Sequence, residues 1–126
     1  VFDLVHSGHV ELLNFAKTLG DKLVVGLNSD NSTRLLKGNK RPINKEEDRK
    51  NIIQSLRAVD EVIVFDSIDT TDLINNLNPD IIVKGGEWTV EEVRERDKIP
   101  DNIEVYVYPF KEGYSSTNII NMIKET

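Results

Sequence analysis

The chain contains no cysteine, so no disulfide framework can hold it together, and a reducing, cytoplasmic setting is the expectation. No apolar run approaches the length of a membrane span, and Val1 to Gly8 does not read as a signal peptide. Basic charge is in short supply. With 16 Lys and Arg against 22 Asp and Glu, the net charge is −6, which argues against DNA or RNA as a partner. Repeats, low-complexity tracts and interior linkers are absent. A length of 126 residues suits one compact domain, residues 1–126, large enough to bury a core without staples. Histidine is also scarce: both copies, His6 and His9, fall in the first nine residues.

Apolar spacing alternates along the chain between two periods. Leu12, Leu13, Phe15, Ala16 and Leu19 follow helical spacing from His9 onward, and Gly20 is placed to stop the helix. Residues 23–27 read as a buried strand running into the polar turn Asn28-Ser29-Asp30. Asn44, with Glu47 three positions later, predicts a capping box opening a helix through Ile52, Ile53 and Leu56. Residues 62–65 read as a strand, 71–77 as a helix, 81–83 as a strand, 91–96 as a charge-rich helix, 105–108 as a strand and 118–124 as a last helix. Such alternation predicts a Rossmann-like α/β fold: an open parallel sheet with helices on both faces, binding its ligands at the strand C-terminal ends.

Two imidazoles three positions apart, with Gly8 between them and an amphipathic helix following, stand beside the unpaired N–H groups of a helix start, which is a place for phosphate. Gly8 lets a ligand approach the backbone closely. Lys37, Lys40, Arg41 and Lys45 concentrate positive charge within an acidic chain; on composition alone such a run is a solvated loop. Gly113, Ser115, Ser116 and Thr117 put more hydroxyls at a helix start than a cap requires. Lys84-Gly85-Gly86-Glu87-Trp88 follows a strand and must turn sharply, which accounts for its glycines even without a ligand. Arg49 has two readings that weigh equally, a ligand contact and a helix-surface ion pair with Glu46. No cluster of His, Cys or carboxylates has the spacing of a protein-bound metal site.

Phe2-Asp3-Leu4-Val5-His6-Ser7-Gly8-His9 resembles the signature of the nucleotidyltransferase superfamily, whose members couple a nucleoside triphosphate to a phosphorylated small molecule and release pyrophosphate. Lys111-Glu112-Gly113-Tyr114-Ser115-Ser116-Thr117-Asn118-Ile119-Ile120 is similar to its C-terminal nucleotide-binding motif. Asn28-Ser29-Asp30, Leu36-Lys37-Gly38, Arg41-Pro42 and Lys84 to Trp88 resemble the branch that adenylylates D-glycero-β-D-manno-heptose 1-phosphate, with glycerol-3-phosphate cytidylyltransferases as the sibling branch. The resemblance implies His6, His9, Lys37 and Ser116 as catalytic residues. It implies nucleotide binding by Val1, Phe2, Ser7, Gly8, Lys84, Gly85, Gly86, Glu87, Lys111, Glu112, Gly113, Tyr114, Ser115 and Thr117. Asp3, Asn28, Asp30, Arg41 and Arg49 would face the acceptor, and Lys37 would sit in a loop able to fold over the triphosphate.

Magnesium would arrive with the triphosphate. The Gly86-Glu87 pair leans towards ATP over CTP, since the cytidylyl sibling is more acidic there. A heptose 1-phosphate is the implied acceptor. Alternatives are a CTP-dependent enzyme acting on a polyol phosphate such as glycerol 3-phosphate, and a nucleotide-binding domain without turnover. Family members begin with a strand ahead of Val1, near the sheet centre, so a missing first strand is expected. A homodimer and an upstream fused sugar-kinase domain complete the implied partners.

Overall fold

A computed structural model describes residues 2–109. The C-terminal motif from Lys111 to Thr117 and the helix expected over 118–124 lie outside the described residues, as does Val1. The described chain divides after Ile68 into two compact units.

The first unit runs α1 (Ser7–Thr18), β1 (Val24–Asn28), α2 (Asp30–Lys37), α3 (Glu46–Gln54) and β2 (Glu61–Phe65). Strands β1 and β2 are parallel, in a register from Val24↔Glu61 to Asn28↔Phe65, and Ser29 N–H continues the ladder by donating to the Phe65 carbonyl at 2.8 Å. Leu13, Val25, Leu27, Ile53, Ala58, Val59 and Val62 form the core. The buried face of α1 is the one its spacing predicts, Leu12, Leu13 and Ala16, because residues three and four apart share one side of a helix.

Two local expectations change here. The segment after β1 is not a turn leading into a loop: it is α2, with Ser29 Oγ capping Ser32 N–H and Gly38 ending the helix at φ 97°, a backbone state that suits glycine. Lys37 is therefore the last residue of a helix. Helix α3 starts one residue later than the Asn44 capping box predicts, with Lys45 at the N-cap and no side-chain cap. Asn44 is engaged elsewhere, as Nδ2 donates to the Asp3 carbonyl. The Glu46 N–H is taken instead by Asp30 Oδ1 at 2.8 Å.

The second unit runs α4 (Thr71–Leu77), β3 (Ile81–Gly85), α5 (Val90–Asp97) and β4 (Glu104–Tyr108). Its strands are again parallel, from Ile81↔Glu104 to Gly85↔Tyr108, around a core of Ile74, Val93, Ile99 and Ile103. Helix α5 carries a capping box between Thr89 and Glu92. The predicted alternation of helices with parallel strands thus appears in both units, as two parallel pairs among the described residues. No helix among those residues is long and apolar enough to cross a membrane.

Candidate active site

The start of α1 is built from its two histidines. His6 is the N-cap, and its Nδ1 accepts the Gly8 N–H at 3.1 Å. His9, at the third helical position, accepts the His6 N–H on its own Nδ1 at 3.2 Å. The imidazoles thus play the parts that Ser or Thr and Glu play in an ordinary capping box. Their rings stack with centroids 3.8 Å apart, and Phe2 packs against His9 at 4.8 Å.

This geometry sets the tautomers. A ring nitrogen that accepts a hydrogen bond carries no proton, so each neutral imidazole holds its proton on Nε2 and is a donor there. Burial lowers the pKa of His6. Burial, followed by the charge His6 would carry, lowers His9 to about 3. At neutral pH the pair is two uncharged N–H donors at a helix N-terminus, where backbone N–H groups add a further positive field.

A stability effect follows. His9 binds fewer protons folded than unfolded between pH 6.5 and about 3. Its contribution is complete above the unfolded value and is lost as pH falls towards the folded one, by at most about 1.4 kcal/mol per pH unit. Urea unfolding of the chain should show a loss of about 2 kcal/mol between pH 7 and pH 5 from this group. His9→Asn, whose Oδ1 can still accept the His6 N–H, should flatten that slope; identical slopes would mean that His9 is not held neutral.

Asp3 lies three residues ahead of the N-cap, 1% exposed. Its carboxylate accepts Arg41 Nε–H, Ile43 N–H at 2.8 Å and Asn44 N–H at 2.9 Å. Burial pushes its pKa up, but the two backbone N–H groups and the Arg41 guanidinium outweigh burial and hold it below the usual value.

A second cluster gathers where β1 ends. Arg49 is 0% exposed. It donates to the Asn44 carbonyl at 3.0 Å, the Asn28 carbonyl at 2.7 Å and Asp30 Oδ1 at 2.8 Å. It is neither on the helix surface nor paired with Glu46, which instead accepts the Asp30 N–H. Asn28 is also buried, with Nδ2 directed to Ser32 Oγ at 3.3 Å. Lys37, Lys40 and Lys45 are exposed.

In the second unit Lys84 and Gly85 belong to β3, and the sharp turn comes at Gly86, with φ 131°. A side chain added at Gly86 would also meet Trp88 Cδ1 at 3.2 Å. Lys84 Nζ pairs with Asp97 Oδ2 at 3.2 Å. Sequence reasoning missed Asp97, a buried carboxylate. The available signal was its place in the last turn of α5, where the helix dipole disfavours an acid that has no cationic partner. Trp88 is exposed, with the Arg96 guanidinium 5.2 Å from its ring centroid.

The structure thus brings together Phe2, His6 and His9; Asp3 and Arg41; and Asn28, Asp30 and Arg49, all in the first unit. Lys84 to Glu87 form a separate group in the second.

Comparison with known proteins adds identity to this geometry. The sequence model of the cytidylyltransferase-like family matches residues 1–122. The chain is 50% identical over 125 residues to the bifunctional protein HldE of Helicobacter pylori (strain HPAG1), covering 99% of this chain and 26% of that protein. It is 46% identical over 123 residues to the HldE of Campylobacter fetus subsp. fetus (strain 82-40), covering 98% of this chain and again 26% of that protein. The chain therefore spans about a quarter of the length of these curated relatives. Among solved structures, the lipopolysaccharide core biosynthesis protein of Thermoplasma volcanium GSS1 aligns with a TM-score of 0.71 at 32% identity, over 91% of this chain and 93% of that one.

Proposed function

The chain belongs to the cytidylyltransferase-like family, and from that premise we propose that it transfers the adenylyl group of ATP to a heptose 1-phosphate, releasing pyrophosphate. The observation that carries this reading is the histidine capping box, which turns two uncharged imidazoles into Nε2–H donors at a helix start. The acceptor phosphate is already ionised, so its oxygen can attack the α-phosphorus without a general base. The bond from the α-phosphorus to the bridging oxygen breaks, and pyrophosphate leaves in line. What the chain must supply is positioning and donors where charge accumulates on phosphate oxygens. His6 and His9 donate there from Nε2–H.

In this proposal Lys37 and Ser116 complete the catalytic set, while Phe2, Ser7, Gly8, residues 84–87 and residues 111–117 hold the nucleotide. Arg41 faces the acceptor phosphate. Magnesium is counted with the triphosphate, whose phosphate oxygens would hold it. The name of the Thermoplasma volcanium protein, a lipopolysaccharide core biosynthesis protein, agrees with an activated sugar as product. A sugar kinase fused upstream would supply the heptose 1-phosphate, and a cytoplasmic location fits both substrates.

Pyrophosphate release, measured with four nucleoside triphosphates against heptose 1-phosphate and glycerol 3-phosphate, tests the reading. ATP should exceed CTP in kcat/KM by at least tenfold, equivalent to about 1.4 kcal/mol, which one or two hydrogen bonds to a base edge can supply. Heptose 1-phosphate should exceed glycerol 3-phosphate. The reverse nucleotide order would move the chain to CTP; no turnover with any pair would make it a nucleotide-binding domain.

A further inference from the structure

Asp3 and Arg41 would each be read from sequence as touching substrate, but their geometry separates the two roles. The Asp3 carboxylate is buried and spends both oxygens on one stretch of chain, Arg41 to Asn44, that lies some forty positions away in sequence. Asn44 Nδ2 returns a bond to the Asp3 carbonyl at 3.1 Å, so the two segments are tied in both directions. Three N–H donors already converge on this buried carboxylate, and facing a phosphate its charge would only repel.

Arg41 differs. Its bond to Asp3 uses Nε, while no described residue accepts from its Nη1 or Nη2. A guanidinium gripped by Nε keeps the edge that carries both Nη groups, the edge that matches two phosphate oxygens side by side. Holding it there in advance removes rotamer freedom that binding would otherwise have to remove.

We propose that Asp3 is a positioning residue: through Arg41 Nε it fixes the guanidinium beside the histidine helix start, with its Nη edge presented to the acceptor's phosphate. This rests on the proposed assignment of Arg41 to the acceptor side. The same carboxylate ties the loop to the segment that carries His6, so the acceptor site and the histidine pair are set by one buried group.

Steady-state kinetics of the Asp3→Asn, Arg41→Lys and double variants provide the test. Asp3→Asn should raise the acceptor KM at least tenfold and leave the ATP KM within twofold. Arg41→Lys, which keeps the charge but loses Nε, should do the same, and the double variant should be no worse than Arg41→Lys alone. Multiplicative losses in the double variant, or an unchanged acceptor KM in Arg41→Lys, would overturn the proposal.

A second measurement needs neither turnover nor a folded Asp3→Asn. In the wild-type chain the Arg41 Nε–H NMR signal, assigned by its loss in Arg41→Lys, should exchange with water at least tenfold more slowly than that of exposed Arg57, and the Arg41 Nη signals should move on addition of inorganic phosphate. Fast exchange, or no movement with phosphate, refutes the proposal even where the enzyme assay succeeds. Protection and movement in a chain that turns over no acceptor would support it while the adenylyltransfer reading fails.

Discussion

Replacing His9 with alanine should lower turnover by roughly two to three decades, the usual consequence of removing one donor aimed at transition-state charge, about 2.7–4 kcal/mol. Nucleotide affinity should fall much less, because ground-state phosphates would retain His6 and the helix N–H groups. Two different losses are combined in this variant. The Nε2–H donor disappears, and so does the Nδ1 acceptor of the His6 N–H, at a net cost to stability of about 1 kcal/mol. Asparagine and glutamine separate them. Asn can satisfy the His6 N–H but reaches no further, so His9→Asn should be close to wild type in urea midpoint and as slow as His9→Ala. His9→Gln extends a donor towards the Nε2 position and should recover part of the rate. Single-turnover pyrophosphate release, alongside calorimetric titration of nucleotide, reads both quantities; His9→Ala within threefold of wild-type turnover would remove His9 from the reaction.

Arg49→Ala should cost about 3–5 kcal/mol of stability, the range for breaking a buried charged pair by removing one partner. Domains of this size commonly have only about 5–15 kcal/mol in total. The reason lies in its acceptors: the Asn28 and Asn44 carbonyls and Asp30 Oδ1 each lose a donor, and Arg49 is fully buried. Lysine is not a conservative replacement here. One ammonium cannot span three acceptors that a planar guanidinium reaches from Nε, Nη1 and Nη2, so Arg49→Lys should recover less than half of the loss. Urea unfolding of the three proteins is the measurement, and a loss below about 1 kcal/mol in Arg49→Ala would contradict the bond network. Because Arg49 holds Asn28, Asp30 and Asn44 together, Arg49→Lys should also weaken activity.

Most elements were legible because their signal is local. Leu12, Leu13 and Ala16 share one helical face whatever surrounds them, and the apolar runs at 62–65 and 105–108 fall within one residue of β2 and β4. Helix α2 was not legible: Asn28-Ser29-Asp30 has the composition of a turn, and the segment that follows becomes a helix capped by Ser29 and ended by Gly38. Its status turns on whether Ser29 Oγ finds Ser32 N–H, which composition does not specify.

The histidine spacing by itself determined where phosphate chemistry could sit, since residues at an N-cap and three positions on must face the same helix start. Their protonation was decided only by the fold: burial, and for His9 also the charge His6 would carry, keep both rings neutral, and the backbone N–H groups each accepts choose Nε2 as donor. The roles of Asp3 and Arg49 also belong to the tertiary structure. A charged residue in sequence looks equally suited to solvent, to a ligand or to the interior. Only the arrival of segments distant in sequence, residues 41–44 at Asp3 and residues 28 and 30 at Arg49, supplies the donors and acceptors that make burying those charges affordable.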